Sequence, residues 1–193
     1  MVMLSALSQA GVNGGADAIR SLYVQHATEL RHALHRLAPD LDADDLLQEL
    51  FVVVLRRPEA LAGADVPRAW LYGIALKLAS SRRRTVRLRR FLGLEAAEHV
   101  PAVDAPSRTL EQRDAQLKVA RALETLTEAK REVFVLFELQ GLPGEEIAAA
   151  LGIPLKTVWT RLFHARTEVE AALERLVLIE ARTSGLNPDE VRP

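Results

Sequence analysis

Residues 142–166, LPGEEIAAALGIPLKTVWTRLFHAR, constrain the fold of this chain most, because two short amphipathic stretches flank a single glycine. In the first, Ile147, Ala148 and Leu151 share one helical face. Gly152 supplies a tight turn, and in the second stretch Val158, Leu162 and Ala165 recur at the same spacing. The pattern predicts a helix-turn-helix. Lys156, Thr157, Thr160, Arg161 and Arg166 are left for the outward face. Hydroxyl and guanidinium groups so displayed suit the major groove, where arginine reads guanine edges and threonine reaches bases or phosphates. An ordinary helical hairpin with solvated charges has the same pattern, so this segment alone leaves both readings open.

The rest of the composition favours helix packing. Hydrophobic residues make up 49% of the 193 positions while aromatics make up only 5%, which is enough for cores built from Ala and Leu. The absence of cysteine excludes a disulfide scaffold and thiolate metal sites, and fits a cytoplasmic protein. Residues 1–16 lack a positive leader and a sustained apolar run, and are expected to be a flexible start with no signal peptide. No apolar stretch is long enough for membrane insertion. The net charge of −1 argues against a histone-like protein, but it conceals a division. Residues 1–92 carry net +4 and residues 93–193 net −5. Asp40–Glu49 has five acids and no base, whereas Arg82–Arg90 has six arginines and no acid. Blocks of this kind decide steering and partner choice more than totals do.

The periodicity places a first helix from about Asp17 to Pro39, with Leu22, Leu30, Leu34 and Leu37 inward. A second begins at Asp42, a good N-cap, and stops at Pro58. Its β-branched middle, Phe51–Val54, also fits a strand. Glu59–Val66 is a loop. A third helix opens at Pro67, buries Trp70, Leu71, Ile74 and Leu78, and closes in the arginine run, whose mutual repulsion calls for an anionic partner or open solvent. Residues 93–106 form a linker. A helix from Ser107 to Leu126 turns Leu110, Leu117, Ala120 and Leu123 inward; another, capped by Thr127, packs Val133, Phe134 and Phe137 and ends at Gly141. The helix-turn-helix follows, and 181–193 form a tail. The expected fold is therefore all-α: two small helical domains, 17–92 and 107–180, joined by a flexible linker, the second containing the helix-turn-helix.

Three segments together, DADDLLQELFVVVLRRPEAL, PRAWLYGIALKLASSRRR and ALETLTEAKREVFVLFELQGLPGEEIAAALGIPLKTVWTRLFHAR, resemble the extracytoplasmic-function family of bacterial RNA polymerase sigma factors over about residues 20–176. The resemblance implies an alternative sigma factor that binds core RNA polymerase and directs promoter recognition, DNA opening and initiation. Asp45, Gln48 and Glu49 stand where the family meets the clamp of the largest subunit. Lys77, Arg82, Arg83, Arg84 and Arg87 stand where it tracks the opened minus-10 strand, with the Glu59–Val66 loop accepting an unstacked base. Lys156, Thr157, Thr160, Arg161 and Arg166 stand where it reads the minus-35 duplex, and the flank of that domain would meet the flap of the second-largest subunit. An anti-sigma factor is the further partner implied.

The chain departs from the family's usual text at Lys77, at Trp159 and His164 in the recognition helix, and at Pro143-Gly144. These departures bear on promoter sequence more than on architecture. Other classes fit less well. His32 and His35 have metal-ligand spacing but no third ligand nearby, and no cofactor is expected. There is no phosphate loop, nucleophile elbow or paired apolar carboxylate, so catalysis is assigned to the polymerase. A two-domain helix-turn-helix regulator binding an operator is the main alternative, and a protein–protein adaptor a lesser one. Neither needs the arginine track.

Overall fold

The computed structural model describes residues 13–57, 68–93 and 110–183. Every element among them is helical: α1 Asn13–Leu37, α2 Ala43–Leu55, α3 Arg68–Phe91, α4 Leu110–Glu124, α5 Glu128–Phe134, a π-helical turn Val135–Leu139, α6 Gly144–Leu151 and α7 Leu155–Thr183. The base-accepting loop, residues 94–106 of the linker and most of both termini lie outside the described residues.

Helices α1–α3 form the first unit. Leu30, Ala33, Leu34 and Leu37 of α1 meet Leu46, Leu47, Leu50, Phe51 and Val54 of α2, and Leu71, Ile74, Ala75 and Ala79 of α3 complete the core. The β-branched stretch of α2 is helical because its burial repeats at helical spacing. Leu47, Leu50, Phe51 and Val54 are buried while Val52 is 41% exposed, a pattern no strand has. Phe51 is fully buried and meets Tyr23 edge-on at 4.9 Å, a burial that contributes about 1.5–3 kcal/mol. Asp42 caps α2 as expected: its Oδ1 accepts from the amides of Asp44 at 2.8 Å and Asp45 at 3.0 Å.

Helices α4–α7 form the second unit around Val158, Leu162, Ala165, Val169 and Ala172 of α7. Two expectations need correcting. Leu117 is 58% exposed and Ala120 is also outside; α4 instead packs on α7 through Val119, Ala122 and Leu123. Leu123 is inward as expected and the Leu110 side chain lies outside those described; the position of α7 turns Leu117 and Ala120 to the outer side. Thr127 occupies the N-cap of α5 but its side chain makes no capping bond. The end of α4 is tied down differently. The buried Arg131 donates from Nε to the carbonyl of Leu123 at 2.9 Å, and from Nη2 to those of Leu126 at 3.2 Å and Glu124 at 3.4 Å, satisfying carbonyls left orphaned at a helix end. Gly152 has φ +66°, ψ 36° at the C-cap of α6, the left-handed turn read from the sequence.

The two units are in contact. Helix α3 packs on α6, and α1 meets the π-helical turn. Gly73 faces Ala150 so closely that a Cβ there would lie 3.5 Å from the Ala150 carbonyl oxygen. Trp70, expected in the core, is half-buried and lines a cleft of about 520 Å3 between the units with Val53, Ile74, Lys77, Leu78 and Ala149.

Candidate nucleic-acid and polymerase interface

The acidic helix presents one continuous outer face. Asp45, Gln48, Glu49 and Val52 lie within a narrow arc of α2, opposite Leu47, Leu50 and Val54. Asp45, Gln48 and Val52 are exposed. Glu49 is half-buried and paired with Arg82, whose Nε donates to Glu49 Oε2 at 3.1 Å. The structure thus joins the acidic helix to the first residue of the arginine track. Val52 stands in a run of three valines whose period is ambiguous in the sequence, so its place on this face is visible only in the structure.

The track itself is largely occupied by carboxylates. Arg83 is only 6% exposed; its Nε donates to Asp40 Oδ1 at 3.0 Å and its Nη1 lies 3.8 Å from Glu128 Oε1. Arg87 is 3.7 Å from Glu128 Oε2. Arg84 is exposed and makes no ion pair among the described residues. Lys77 is exposed at the cleft facing α6. Glu128 comes from α5, so the second unit neutralises cations of the first.

Further polar bonds cross the same boundary. Tyr72 Oη donates to Gln140 Oε1 at 2.7 Å, and Arg68 Nη2 donates to the Gln140 carbonyl at 3.2 Å and to Glu29 at 3.0 Å. Burial pushes the Tyr72 phenol up, opposed by the Arg68 hydrogen bond. Gln140 follows the π-helical turn directly, and such wide turns recur at functional positions. Nothing in the sequence around Gln140 signalled this role.

On the recognition helix, Val158, Leu162 and Ala165 are inward as expected. Lys156, Trp159, Thr160, Phe163, His164 and Thr167 are exposed. Thr157 is half-buried near the turn. Arg161 does not join the outward set: it is half-buried beside Glu132, where it opposes the rise in that carboxyl's pKa. Burial first, then Glu128, raises Glu132 from the ordinary 4.5 to about 7, against Arg161 and Arg83. Arg166 is exposed and held in place, its Nε donating to Glu138 Oε1 at 2.6 Å and its guanidinium lying 5.5 Å from the Phe137 ring centre.

Among the described residues no cluster of His, Cys, Asp or Glu is placed to hold a metal ion, and no helix is long and apolar enough to cross a membrane. Burial lowers the pKa values of His26 and His35.

Residues 22–89 match the Sigma-70 region 2 family and residues 116–169 match Sigma-70, region 4. The chain is 31% identical to the ECF RNA polymerase sigma factor SigL of Mycobacterium tuberculosis, over 86% of this chain and 97% of that protein. The sigma factor RpoE from Bartonella quintana, solved in complex with the anti-sigma factor NepR, shares the fold with a TM-score of 0.65 at 22% identity, over 80% of this chain and 96% of that one. CnrH, solved with the cytosolic domain of CnrY, has a TM-score of 0.59 and 28% identity, over 90% of this chain and 96% of the other. The two helical units and their order are those of these proteins, and the chain belongs to the extracytoplasmic-function family of RNA polymerase sigma factors.

Proposed function

We propose a division of contacts for this alternative sigma factor, which directs promoter recognition and transcription initiation. The outer face of α2, with Asp45, Gln48, Glu49 and Val52, docks on the clamp of the largest polymerase subunit. Lys77, Arg82, Arg83, Arg84 and Arg87 of α3 follow the single strand at the minus-10 element. The N-terminal half of α7 enters the minus-35 major groove, with Lys156, Thr157 and Thr160 toward the bases and Arg166 on phosphate, and the flank of that unit meets the flap of the second-largest subunit. The chain works in the cytoplasm with core polymerase, and an anti-sigma factor, as seen with RpoE, holds it in reserve.

The observation that carries this reading is the Glu49–Arg82 pair. It sets an exposed acidic face and an arginine track side by side on one unit, while the other unit carries a helix-turn-helix. Glu128 of the second unit shares Arg83 with Asp40 and lies beside Arg87, so parting of the units would free Arg87 and relieve Arg83 of one of its two carboxylates.

The test is assembly with purified core polymerase. Asp45→Ala with Gln48→Ala removes two exposed groups and no core packing, so the melting curve should not move. Affinity for core should fall about tenfold or more, in the range of interface residues that each cost about 1 kcal/mol. Unchanged co-elution with core would reject the α2 face.

A further inference from the structure

Two departures from the family's usual residues, Gly144 and Trp159, are one structural feature. Gly144 opens α6 and is buried. A Cβ placed on it would lie 2.6 Å from Trp159 Cζ2, 2.8 Å from Cη2 and 3.1 Å from Leu155 Cδ1, so the indole occupies the space that any larger residue needs. The same ring meets Phe137 of the π-helical turn edge-on, with centres 5.5 Å apart. Trp159 is therefore held from two sides, yet stays 43% exposed on the recognition helix.

Around it three polar groups already have partners. Thr160 Oγ1 donates to the Lys156 carbonyl at 3.0 Å and Thr167 Oγ1 to the Phe163 carbonyl at 3.2 Å. Arg166 is paired with Glu138, and Arg161 sits beside Glu132. To the exposed Lys156 the indole adds a rigid apolar surface. The major groove has one apolar feature that a side chain can read, the C5 methyl of thymine. A ring already fixed by its own fold gives up little freedom on meeting it.

We propose that Trp159 is a specificity-determining residue that reads a thymine methyl in the minus-35 element, and that Gly144 is the positioning residue that lets it. The inference rests on the reading of α7 as the duplex-binding helix.

The experiment uses holoenzyme on the duplex genomic fragment it protects most strongly, with each thymine of the protected minus-35 segment replaced singly by deoxyuridine. One replacement should weaken wild-type binding about fourfold, the value of one buried methyl at about 0.8 kcal/mol. In Trp159→Ala the thymine-to-uracil ratio at that position should fall to about one. The salt dependence should be unchanged, since no phosphate contact is lost. Gly144→Ala, checked for folding by its melting curve, should displace the indole and give the same ratio; combined with Trp159→Ala it should add nothing. If Gly144→Ala does not fold, Trp159→Ser serves as the second variant, with the ratio again falling to about one. Protection of the minus-35 segment without any methyl-sensitive position overturns the inference alone, as does a ratio that survives in Trp159→Ala. Loss of core affinity in Trp159→Ala with the ratio intact makes the residue a protein contact and also overturns it. Absence of minus-35 protection in the wild type rejects the reading of α7 itself.

Discussion

Glu132 should make this protein more stable in acid than its other carboxylates would allow, and Glu132→Gln isolates the effect. The carboxyl sits half-buried on α5 with its pKa raised from 4.5 to about 7, chiefly by loss of water and secondly by Glu128. A raised acid pKa means that the folded state holds a proton the unfolded chain has released. The stabilisation is complete below about pH 4.5, declines as pH rises, and is gone above about pH 7. At about 1.4 kcal/mol per pH unit the whole interval is worth about 3.5 kcal/mol. Partial exposure and screening reduce this to about 2 kcal/mol. Glutamine keeps the shape and never ionises. The variant should therefore match wild type within about 0.5 kcal/mol at pH 4.5 and exceed it by about 2 kcal/mol at pH 8, raising the melting temperature there by about 4–8 °C. Denaturant melts at both pH values measure the difference, and effects of the remaining carboxylates cancel. An advantage independent of pH would refute burial as the cause. A loss at pH 8 would show that attraction to Arg161 and Arg83 outweighs desolvation.

Two other substitutions probe what holds the chain together. Tyr72→Phe and Gln140→Ala each remove one side of a 2.7 Å bond between the units without touching the Arg68 contact to the Gln140 carbonyl. A double-mutant cycle on thermal stability should give a coupling of about 0.5–1.5 kcal/mol, and strictly additive effects would mean that the bond does not form in solution. Arg131→Met strips the end of α4 of a charged donor shared among three carbonyls. It should cost about 2–4 kcal/mol in denaturant unfolding, and a loss below about 1 kcal/mol would show that water replaces the guanidinium without penalty.

The fold was legible wherever periodicity and end signals agreed. Asp42 as a cap, Gly152 as the turn and Val158, Leu162 and Ala165 as the inner face of α7 all follow from local chemistry, and the structure repeats them. Legibility failed where an outcome depended on a partner far along the chain. The face of α4 is chosen by α7, so exposed Leu117 gave no warning. Arg161 was read as outward because its neighbours are, yet it is half-buried and its charge acts on Glu132 of α5. Gln140 had no signal at all: its importance comes from the π-helical turn, which leaves the residue facing Tyr72 and Arg68. Gly144 and Trp159 were each visible as departures, but only packing shows that one requires the other.

The opposed charge blocks, +4 and −5 in the two parts of the chain, acquire a physical use in this packing. Glu128 faces Arg83 and Arg87 at 3.8 and 3.7 Å, so phosphates approaching these two arginines must first displace a carboxylate already in place. Pairs that reach solvent are worth about 0.2–1 kcal/mol each, and Arg87 is well exposed. With the Tyr72 and Arg68 bonds the polar part of the contact amounts to a few kcal/mol. That is enough to suppress weak, non-specific attraction to DNA and too little to resist a polymerase interface. The outer face of α2 is different, because Asp45, Gln48 and Val52 are exposed while the units are together. On the proposed reading core polymerase therefore meets an available surface and the single strand a partly occupied one, which favours an order: clamp first, single strand last. Raising salt should weaken the Glu128 pairs and the phosphate contacts together, so the order should persist across ionic strength even as affinity for DNA falls.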